Sequence, residues 1–253
     1  IFTALVLSAS MLLMSSCVYF NTFYNAKKNW KMAEKKFEDS EGQQVPQQDY
    51  QKVVDTAAKI PELYPDSKYV DNALLLMGKS YYRLEQYPKA QRKFEELIAN
   101  YPESDLNEEA ELWLGMSLVE NHMNDRARDK LNSIIATSED EELVEKAQFH
   151  LGKLLTMEEK YSQGADVYLK LGESADDKEL RAEANFLAGE NLMEIGDYEK
   201  AAEDFRKAGE YRGSPKERRF NARLNHAIAL RLSGDEDGAL AVLEKILDNQ
   251  KFY

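Results

Sequence analysis

The sequence is poor in the residue types that most often carry catalysis, metal binding or covalent cross-links. Its 253 residues include one cysteine and three histidines. The single cysteine, Cys17, excludes an intrachain disulfide, a redox pair and any multi-cysteine metal site. The histidines, His122, His150 and His226, do not have the spacing of metal ligands. We therefore expect neither a metal nor a cofactor.

Catalytic motifs are also missing. The chain contains no Gly-rich phosphate loop, no nucleophile elbow and no His-Glu-x-x-His arrangement. Gly152-Lys153 resembles part of a phosphate loop, but Gly152 belongs to a repeated column of small residues described below. We predict no catalytic residues, no small-molecule substrate and therefore no enzymatic activity.

Basic residues are outnumbered by acidic ones. The chain has 33 Lys and Arg against 46 Asp and Glu, which gives a net charge of −13. Binding to the phosphates of a nucleic acid needs a basic patch, so the balance excludes nucleic acid as an expected partner. The acidic excess does not point to a basic ligand either, because charged surfaces are usually just solvated.

Small residues recur along the chain at a nearly constant spacing. The first column is separated by steps of 37, 37, 37 and 38 residues and consists of Gly78, Gly115, Gly152, Gly189 and Ala227. A second small column follows twelve residues later: Ala90, Ala127, Gly164, Ala201 and Ala239. Four residues further on stands a large apolar column: Phe94, Leu131, Tyr168, Phe205 and Leu243. Helices pack closely where side chains are small and a bulky residue one turn away fills the space, so the pattern predicts stacked helix pairs.

The segment that begins at Asp71 carries this pattern most completely. With Asp71 as position 1, the residues at positions 4, 8, 11, 20, 24 and 32 are Leu74, Gly78, Tyr81, Ala90, Phe94 and Pro102. These residues resemble the signature of the tetratricopeptide repeat. Five such units cover residues 71–253, as 71–104, 108–141, 145–178, 182–215 and 220–253. The resemblance implies an all-α fold, a right-handed α-solenoid of antiparallel helix pairs.

The N-terminal residues carry a second recognisable pattern. Residues 1–16 are uncharged and strongly apolar, which is typical of a secretory signal peptide recorded without its beginning. The sequence Met14-Ser15-Ser16-Cys17 resembles the lipobox of bacterial lipoproteins, which implies that Cys17 is acylated, for example with palmitate, and becomes the mature N-terminus. Val18 is a neighbour that favours sorting to the outer membrane in such lipoproteins. The alternative is an uncleaved anchor from Ile1 to Phe20.

Residues 17–70 are expected to hold the acylated N-terminus and a first helix pair. An apolar stripe at steps of 3 and 4 residues comprises Tyr19, Phe23, Ala26, Trp30, Ala33 and Phe37. It predicts either a helix at the membrane interface or the first helix of the array, packed on the helix that follows. A second helix is predicted from about Asp49 to Lys59, and Pro61 is expected to end or kink it.

The first helix of each tetratricopeptide pair lines a concave groove, and the resemblance assigns partner contacts to positions 5, 9 and 12. The predicted contact residues are Leu75, Lys79, Tyr82, Leu112, Met116, Phe149, Lys153, Phe186, Glu190, Met193 and Leu224. An apolar row flanked by mixed charge suits an extended or helical peptide. The alternative is that the residues at position 5 are buried between neighbouring repeats and bind nothing.

Together these features predict a non-enzymatic scaffold, held as a lipoprotein at the periplasmic face of the outer membrane, that binds other envelope proteins or peptides. The architecture resembles the BamD-type subunit of the outer-membrane protein assembly machinery. A pilotin, a cell-wall-linked adaptor or the regulatory repeat region of a longer enzyme are the alternatives. Tyr253 stands at position 34 of the fifth unit, so we expect that the natural chain continues or that a partner covers this end.

Overall fold

The computed structural model describes residues 2–40 and 42–248, with side chains described from Asn21 onward. The described residues form helices joined by short turns, as the all-α prediction requires. In chain order the helices are α1 (Phe2–Asp39), α2 (Gln47–Ala57), α3 (Lys59–Leu63), α4 (Val70–Arg83), α5 (Tyr87–Asn100), α6 (Asn107–Glu120), α7 (Asn124–Thr137), α8 (Glu141–Met157), α9 (Tyr161–Ser174), α10 (Lys178–Glu194), α11 (Tyr198–Glu210), α12 (Lys216–Ser233) and α13 (Glu236–Leu247). Within this described part, no helix is long and apolar enough to cross a membrane.

The turn between the two helices of each repeat has the same backbone conformation throughout. Position 15 has a positive φ in all five repeats, at Glu85, His122, Glu159, Gly196 and Gly234. In the first repeat the amide of Glu85 donates to the carbonyl of Tyr82 at 2.9 Å, and the amide of Gln86 donates to the carbonyl of Tyr81 at 2.9 Å. This pair of bonds is the Schellman motif, which closes the helix end and turns the chain back. The repeat is therefore also visible in the backbone, at positions where the residue type varies.

The chain forms two compact units, residues 1–130 and 131–253. In the first unit α1 packs against α2, α2 against α4, and α4, α5 and α6 follow in sequence. Ala26 and Ala33 of α1 are fully buried, so the apolar stripe of this helix faces the helices that follow it. This agrees with the second of the two interpretations of the stripe. Pro61 lies within α3, which follows α2 after Ala58, so the helical path continues past the predicted end.

In the second unit, helices α8 to α13 pack each against the next. The small and large columns meet here as predicted, because close approach leaves no room for a side chain at the glycine. A Cβ on Gly152 would lie 2.7 Å from Cε1 of Tyr168, and one on Gly189 would lie 2.9 Å from Cδ1 of Phe205. Tyr168 and Phe205 are among the largest fully buried side chains of the described part. Each aromatic ring thus packs between the two helices of its own repeat.

Candidate protein-interaction face

Lys79 lies at the centre of a group of side chains from the first helices of three successive pairs. Its ammonium group is 5.3 Å from the ring centroid of Trp30 on α1 and 5.1 Å from that of Trp113 on α6. It also donates to Oε1 of Glu109 at 2.7 Å. Trp30 and Trp113 are the two tryptophans of the chain. A cation held between two indole faces is stabilised by both ring quadrupoles.

Arg83 lies one helical turn after Lys79 and holds the same three helices together. Its Nε and Nη2 donate to the two carboxylate oxygens of Glu34 at 3.0 and 2.9 Å, a bidentate pair. The guanidinium also lies 4.8 Å from the ring centroid of Phe37 and 5.6 Å from that of Trp113. Burial disfavours the charged form of Arg83, but the hydrogen bond and charge of Glu34 outweigh it and raise the pKa of Arg83. We call Trp30, Glu34, Lys79, Arg83 and Trp113 the aromatic–cation cluster.

Tyr82 extends this cluster toward the end of α4. Its ring packs edge-to-face on Trp113 at 5.2 Å and on Tyr87 at 5.6 Å between centroids. Its hydroxyl donates to Oε1 of Glu120 at 3.4 Å. Burial, and then the negative charge of Glu120, raise the pKa of Tyr82. Tyr82 is therefore a neutral phenol at physiological pH and a hydrogen-bond donor at the edge of the cluster.

The charged groups of the cluster are paired and mostly covered. Side-chain exposure is 17% for Lys79, 34% for Glu109, 24% for Arg83 and 20% for Glu34. Their mutual bonds hold the aromatic rings in place. The cluster therefore combines aromatic and hydrogen-bonding groups in fixed positions.

Three of the predicted contact residues belong to the core. Leu75, Leu112 and Met116 are buried, with exposures of 6, 1 and 8%. A partner therefore has almost no surface of these residues to contact. Burial was the alternative stated for position 5, and Leu75 and Leu112 are buried. Lys79 and Tyr82, in contrast, lie in the aromatic–cation cluster.

The predicted contact residues of the second unit lie on three helices, α8, α10 and α12, and several of them pack against the core. Phe149 packs edge-to-face on Tyr168 at 5.9 Å, and Phe186 packs in the same way on Phe205 at 5.5 Å. Phe186 and Met193 are partly buried against the core of this unit. The remaining predicted residues keep some exposed surface: Lys153, Glu190 and Leu224. Burial and the nearby Glu194 raise the pKa of Glu190.

Sequence reasoning did not identify Trp30, Glu34, Arg83, Glu109 and Trp113 as site residues. One signal was available. Lys79 and Glu109 stand at positions 9 and 2 of consecutive repeats, and opposite charges at these positions indicate a bridge between adjacent first helices. Glu34 lies before the first repeat and 49 residues before Arg83, so no spacing in the sequence links them.

The described part of the chain holds no group of three or more His, Cys, Asp or Glu side chains that could bind a metal ion. The predicted lipidation site, Cys17, is in the part of α1 whose side chains lie outside the described residues.

These features define a class of protein: a helical-repeat protein with a cluster of aromatic rings and paired charges on its first helices. The profile of the tetratricopeptide repeat-like domain matches residues 85–229, which is more than half of the 253 residues. The chain therefore belongs to the tetratricopeptide repeat-like domain family, and the predicted all-α fold of stacked helix pairs is confirmed. No curated protein matches the chain.

Several solved structures of MamA share the fold. MamA of strain AMB-1 is 19% identical, with a TM-score of 0.55, and the match covers 73% of this chain and 94% of that chain. MamA 41-end from Desulfovibrio magneticus RS-1 is 16% identical, with a TM-score of 0.56, and the match covers 72% and 95%. At this level of identity the similarity concerns the fold alone. Proteins with this fold are typically scaffolds for other proteins.

Proposed function

We propose that this protein is a non-enzymatic scaffold that binds other envelope proteins through the aromatic–cation cluster of its first unit. The observation that carries the proposal is the placement of both tryptophans on Lys79, next to the bidentate pair of Arg83 and Glu34. Interfaces concentrate their binding energy in rigid aromatic and arginine side chains at their centre. The cluster supplies these residue types already fixed in position.

The occupant we propose is an extended or helical segment of a partner protein. Trp113 and Tyr82 offer aromatic surface for apolar side chains. The charged groups around them, Lys79, Arg83, Glu109 and Glu120, are already engaged within the cluster, so a charged segment gains little from them. The expected segment is therefore chiefly apolar.

We further propose that the protein is a lipoprotein of the periplasmic face of the outer membrane, acylated on Cys17. The support is the lipobox-like Met14-Ser15-Ser16-Cys17 and Val18 after it. Two or more acyl chains, at about 0.8 kcal/mol per buried methylene, hold a protein on a membrane. With its helix-pair array, this architecture resembles the BamD-type subunit, and we propose a role in outer-membrane protein assembly.

Photo-cross-linking in intact cells tests the binding face. A benzophenone amino acid placed at Tyr82 should form adducts with an envelope protein, whereas one at the exposed Arg92 of α5 serves as the control and should not. Replacing Trp113 by Leu in the same chain should reduce the adducts at position 82. Equal adducts at both positions would contradict the binding face. Adducts that contain a barrel-assembly subunit would support the assembly role. Adducts that contain a pilus or cell-wall protein would instead support an adaptor function.

Cell fractionation tests the anchor separately. Cys17→Ala should move the protein from the membrane to the soluble fraction and abolish incorporation of labelled palmitate. Ser16→Ala keeps a small residue beside the cysteine and is the matched control, which should stay in the outer membrane. A Cys17→Ala protein that resists an alkaline wash would instead support an uncleaved anchor.

A further inference from the structure

One side of α1 carries a row of exposed lysines. Tyr24, Lys28, Lys31 and Lys35 follow one another at steps of 4, 3 and 4 residues, which places them along one face of the helix. All four are exposed, as is the adjoining Lys27. We call these five residues the α1 basic face.

This face is turned away from the protein. Ala33, which is fully buried in the apolar stripe of α1, stands about 180° around the helix from Tyr24, because an α-helix has 3.6 residues per turn. The helix runs without a break from Phe2 to Asp39, so the residues before Asn21 extend it and do not fold back over the basic face. The basic face can therefore contact a surface outside the protein while the stripe stays packed in the array.

The positive charge of the basic face is not neutralised by its neighbours. Residues 21–37 include five lysines and one acidic residue, in a chain whose net charge is −13. That acidic residue, Glu34, is bound to Arg83 of α4, and Lys36 is paired with Asp49 of α2. The other four lysines form no ion pair within the described part of the chain: Lys27, Lys28, Lys31 and Lys35. Four unpaired cations on one helix face attract an anionic surface.

The other residues of this side of α1 favour a lipid surface as the anionic partner. Tyr24 and Met32 are 56 and 49% exposed. A ring with a polar tip and an apolar side chain among lysines suit the headgroup region of a membrane. In addition, residue 17 comes seven positions, about two turns, before Tyr24 in the same unbroken helix, and so has the register of the basic face. The proposed acylation site thus continues the row.

We infer that α1 lies along the membrane with its basic face on the headgroups of anionic phospholipids. The inference rests on the proposed membrane attachment and adds the side of the first unit that faces the lipid. Glu38 and Asp39, both exposed, end the basic region at the end of the helix. The contact is electrostatic, so it requires anionic lipid and weakens as salt is raised.

Lysine labelling of the whole protein tests this orientation. The protein is placed on vesicles of phosphatidylcholine, with or without phosphatidylglycerol. A water-soluble acetylating reagent is applied at low conversion, and mass spectrometry gives the rate at each lysine. We expect the four lysines of the basic face to react about fivefold more slowly, or less, on the vesicles with phosphatidylglycerol. Three exposed lysines of the second unit are internal controls and should react equally on both: Lys170, Lys178 and Lys216.

A charge-matched pair of variants tests the residues. Replacing three lysines of the basic face together, by Lys28→Gln, Lys31→Gln and Lys35→Gln, should return Lys27 to its rate on neutral vesicles. Replacing the three control lysines by glutamine removes the same charge and should leave Lys27 protected. Equal protection of Lys27 in both variants would overturn the assignment. Far-UV circular dichroism of each variant shows that lost protection is not lost folding.

Flotation of the vesicles separates this inference from the proposed anchor. Protein that floats with both kinds of vesicle, but with equal lysine rates on them, would overturn the inference and leave the anchor in place. Protein that floats only with the anionic vesicles, through the three lysines, would keep the basic face and remove the anchor. Protein that floats with neither would contradict both. Protection that follows protein concentration rather than lipid charge would make an acidic protein surface the occupant.

Discussion

Phe205 occupies the space into which a side chain on Gly189 would have to project. A Cβ built on Gly189 would lie 2.9 Å from both Cδ1 and Cε1 of the ring. Both residues are buried, and the ring belongs to a core cluster that also holds Leu192 and Ala229. The ring cannot move away without disturbing both of its neighbouring helices, because interiors are close-packed.

Gly189→Ala should therefore destabilise the protein, although alanine favours helices over glycine by up to about 1 kcal/mol. Overpacking typically costs about 1–3 kcal/mol, and we expect a net loss within that range. Phe205→Leu should make room for the methyl group, as the natural pair Ala227 and Leu243 suggests. In a double-mutant cycle, Gly189→Ala should cost less in the Phe205→Leu background.

Gly209→Ala provides the control, because the nearest atom to its added Cβ is Cγ of the flexible Arg223 side chain. The free energy of unfolding in urea is measured for the four proteins of the cycle and for the Gly209→Ala control. An equal cost of Gly189→Ala in both backgrounds would mean that the ring is not the obstacle.

Glu34→Ala should cost more stability than the loss of a neighbouring surface ion pair. It leaves the mostly covered Arg83 without its bidentate partner and removes the acceptor of the Tyr50 hydroxyl. An unpaired buried donor or charge costs about 1–3 kcal/mol. Lys36→Ala removes the pair with Asp49 that joins α1 to α2, where Lys36 is 54% exposed, and should change stability by less than about 1 kcal/mol. Equal midpoints for the two variants in thermal unfolding would contradict this ranking.

Glu159→Gly should stabilise the protein. Glu159 has a φ of 59°, a left-handed conformation that costs a residue with a side chain about 1–2 kcal/mol and costs glycine nothing. Part of this gain is lost because glycine makes the unfolded chain more flexible, so a net gain of about 0.5–1 kcal/mol is expected. Gly196→Ala, at the equivalent turn with a φ of 78°, should have the opposite sign. Calorimetric melting that shifts in the same direction for both variants would refute the shared turn.

His150 should make the protein sensitive to mild acid. Its Nδ1 is buried without a hydrogen-bond partner, and burial, with a smaller effect of Lys153, lowers the pKa of His150 to about 3. The unfolded chain, with a histidine pKa of about 6.5, takes up the proton first as the pH falls. Stability is therefore complete above pH 6.5 and is lost from there down to the folded pKa, by about 2 kcal/mol at pH 5.

His150→Gln should remove that part of the pH dependence while leaving the contribution of His226 in place. Urea unfolding at pH 7.5 and pH 5 should show a loss about 2 kcal/mol smaller for the variant than for the unchanged protein. Parallel pH profiles would mean that the His150 ring is protonated in the folded state without cost.

The sequence predicted the helix pairs well because the signals for them are local. Gly78 and Phe94, or Gly189 and Phe205, lie within one repeat, and their sizes report directly on the contact between two consecutive helices. Position 15 of the turn is a glycine only in the last two repeats, at Gly196 and Gly234. Glu85, His122 and Glu159 also have a positive φ, and the sequence does not predict this conformation because these residues are not glycine.

The sequence did not predict which of the proposed contact residues are exposed. Leu75 and Leu112 are buried, whereas Lys79 and Tyr82 lie in the aromatic–cation cluster. A position on an inward-facing helix side is exposed or covered according to how far the adjacent helix overlaps it. That overlap depends on the crossing of helices, and residue spacing along one helix does not report it.

The sequence by itself determined that this protein is a stack of helix pairs, because the volumes of side chains a few turns apart decide which helices can pack closely. Only the tertiary structure decided that Trp30 and Trp113, 83 residues apart, meet on Lys79. Contacts between successive first helices join residues from different repeats. They exist only once the repeats have stacked.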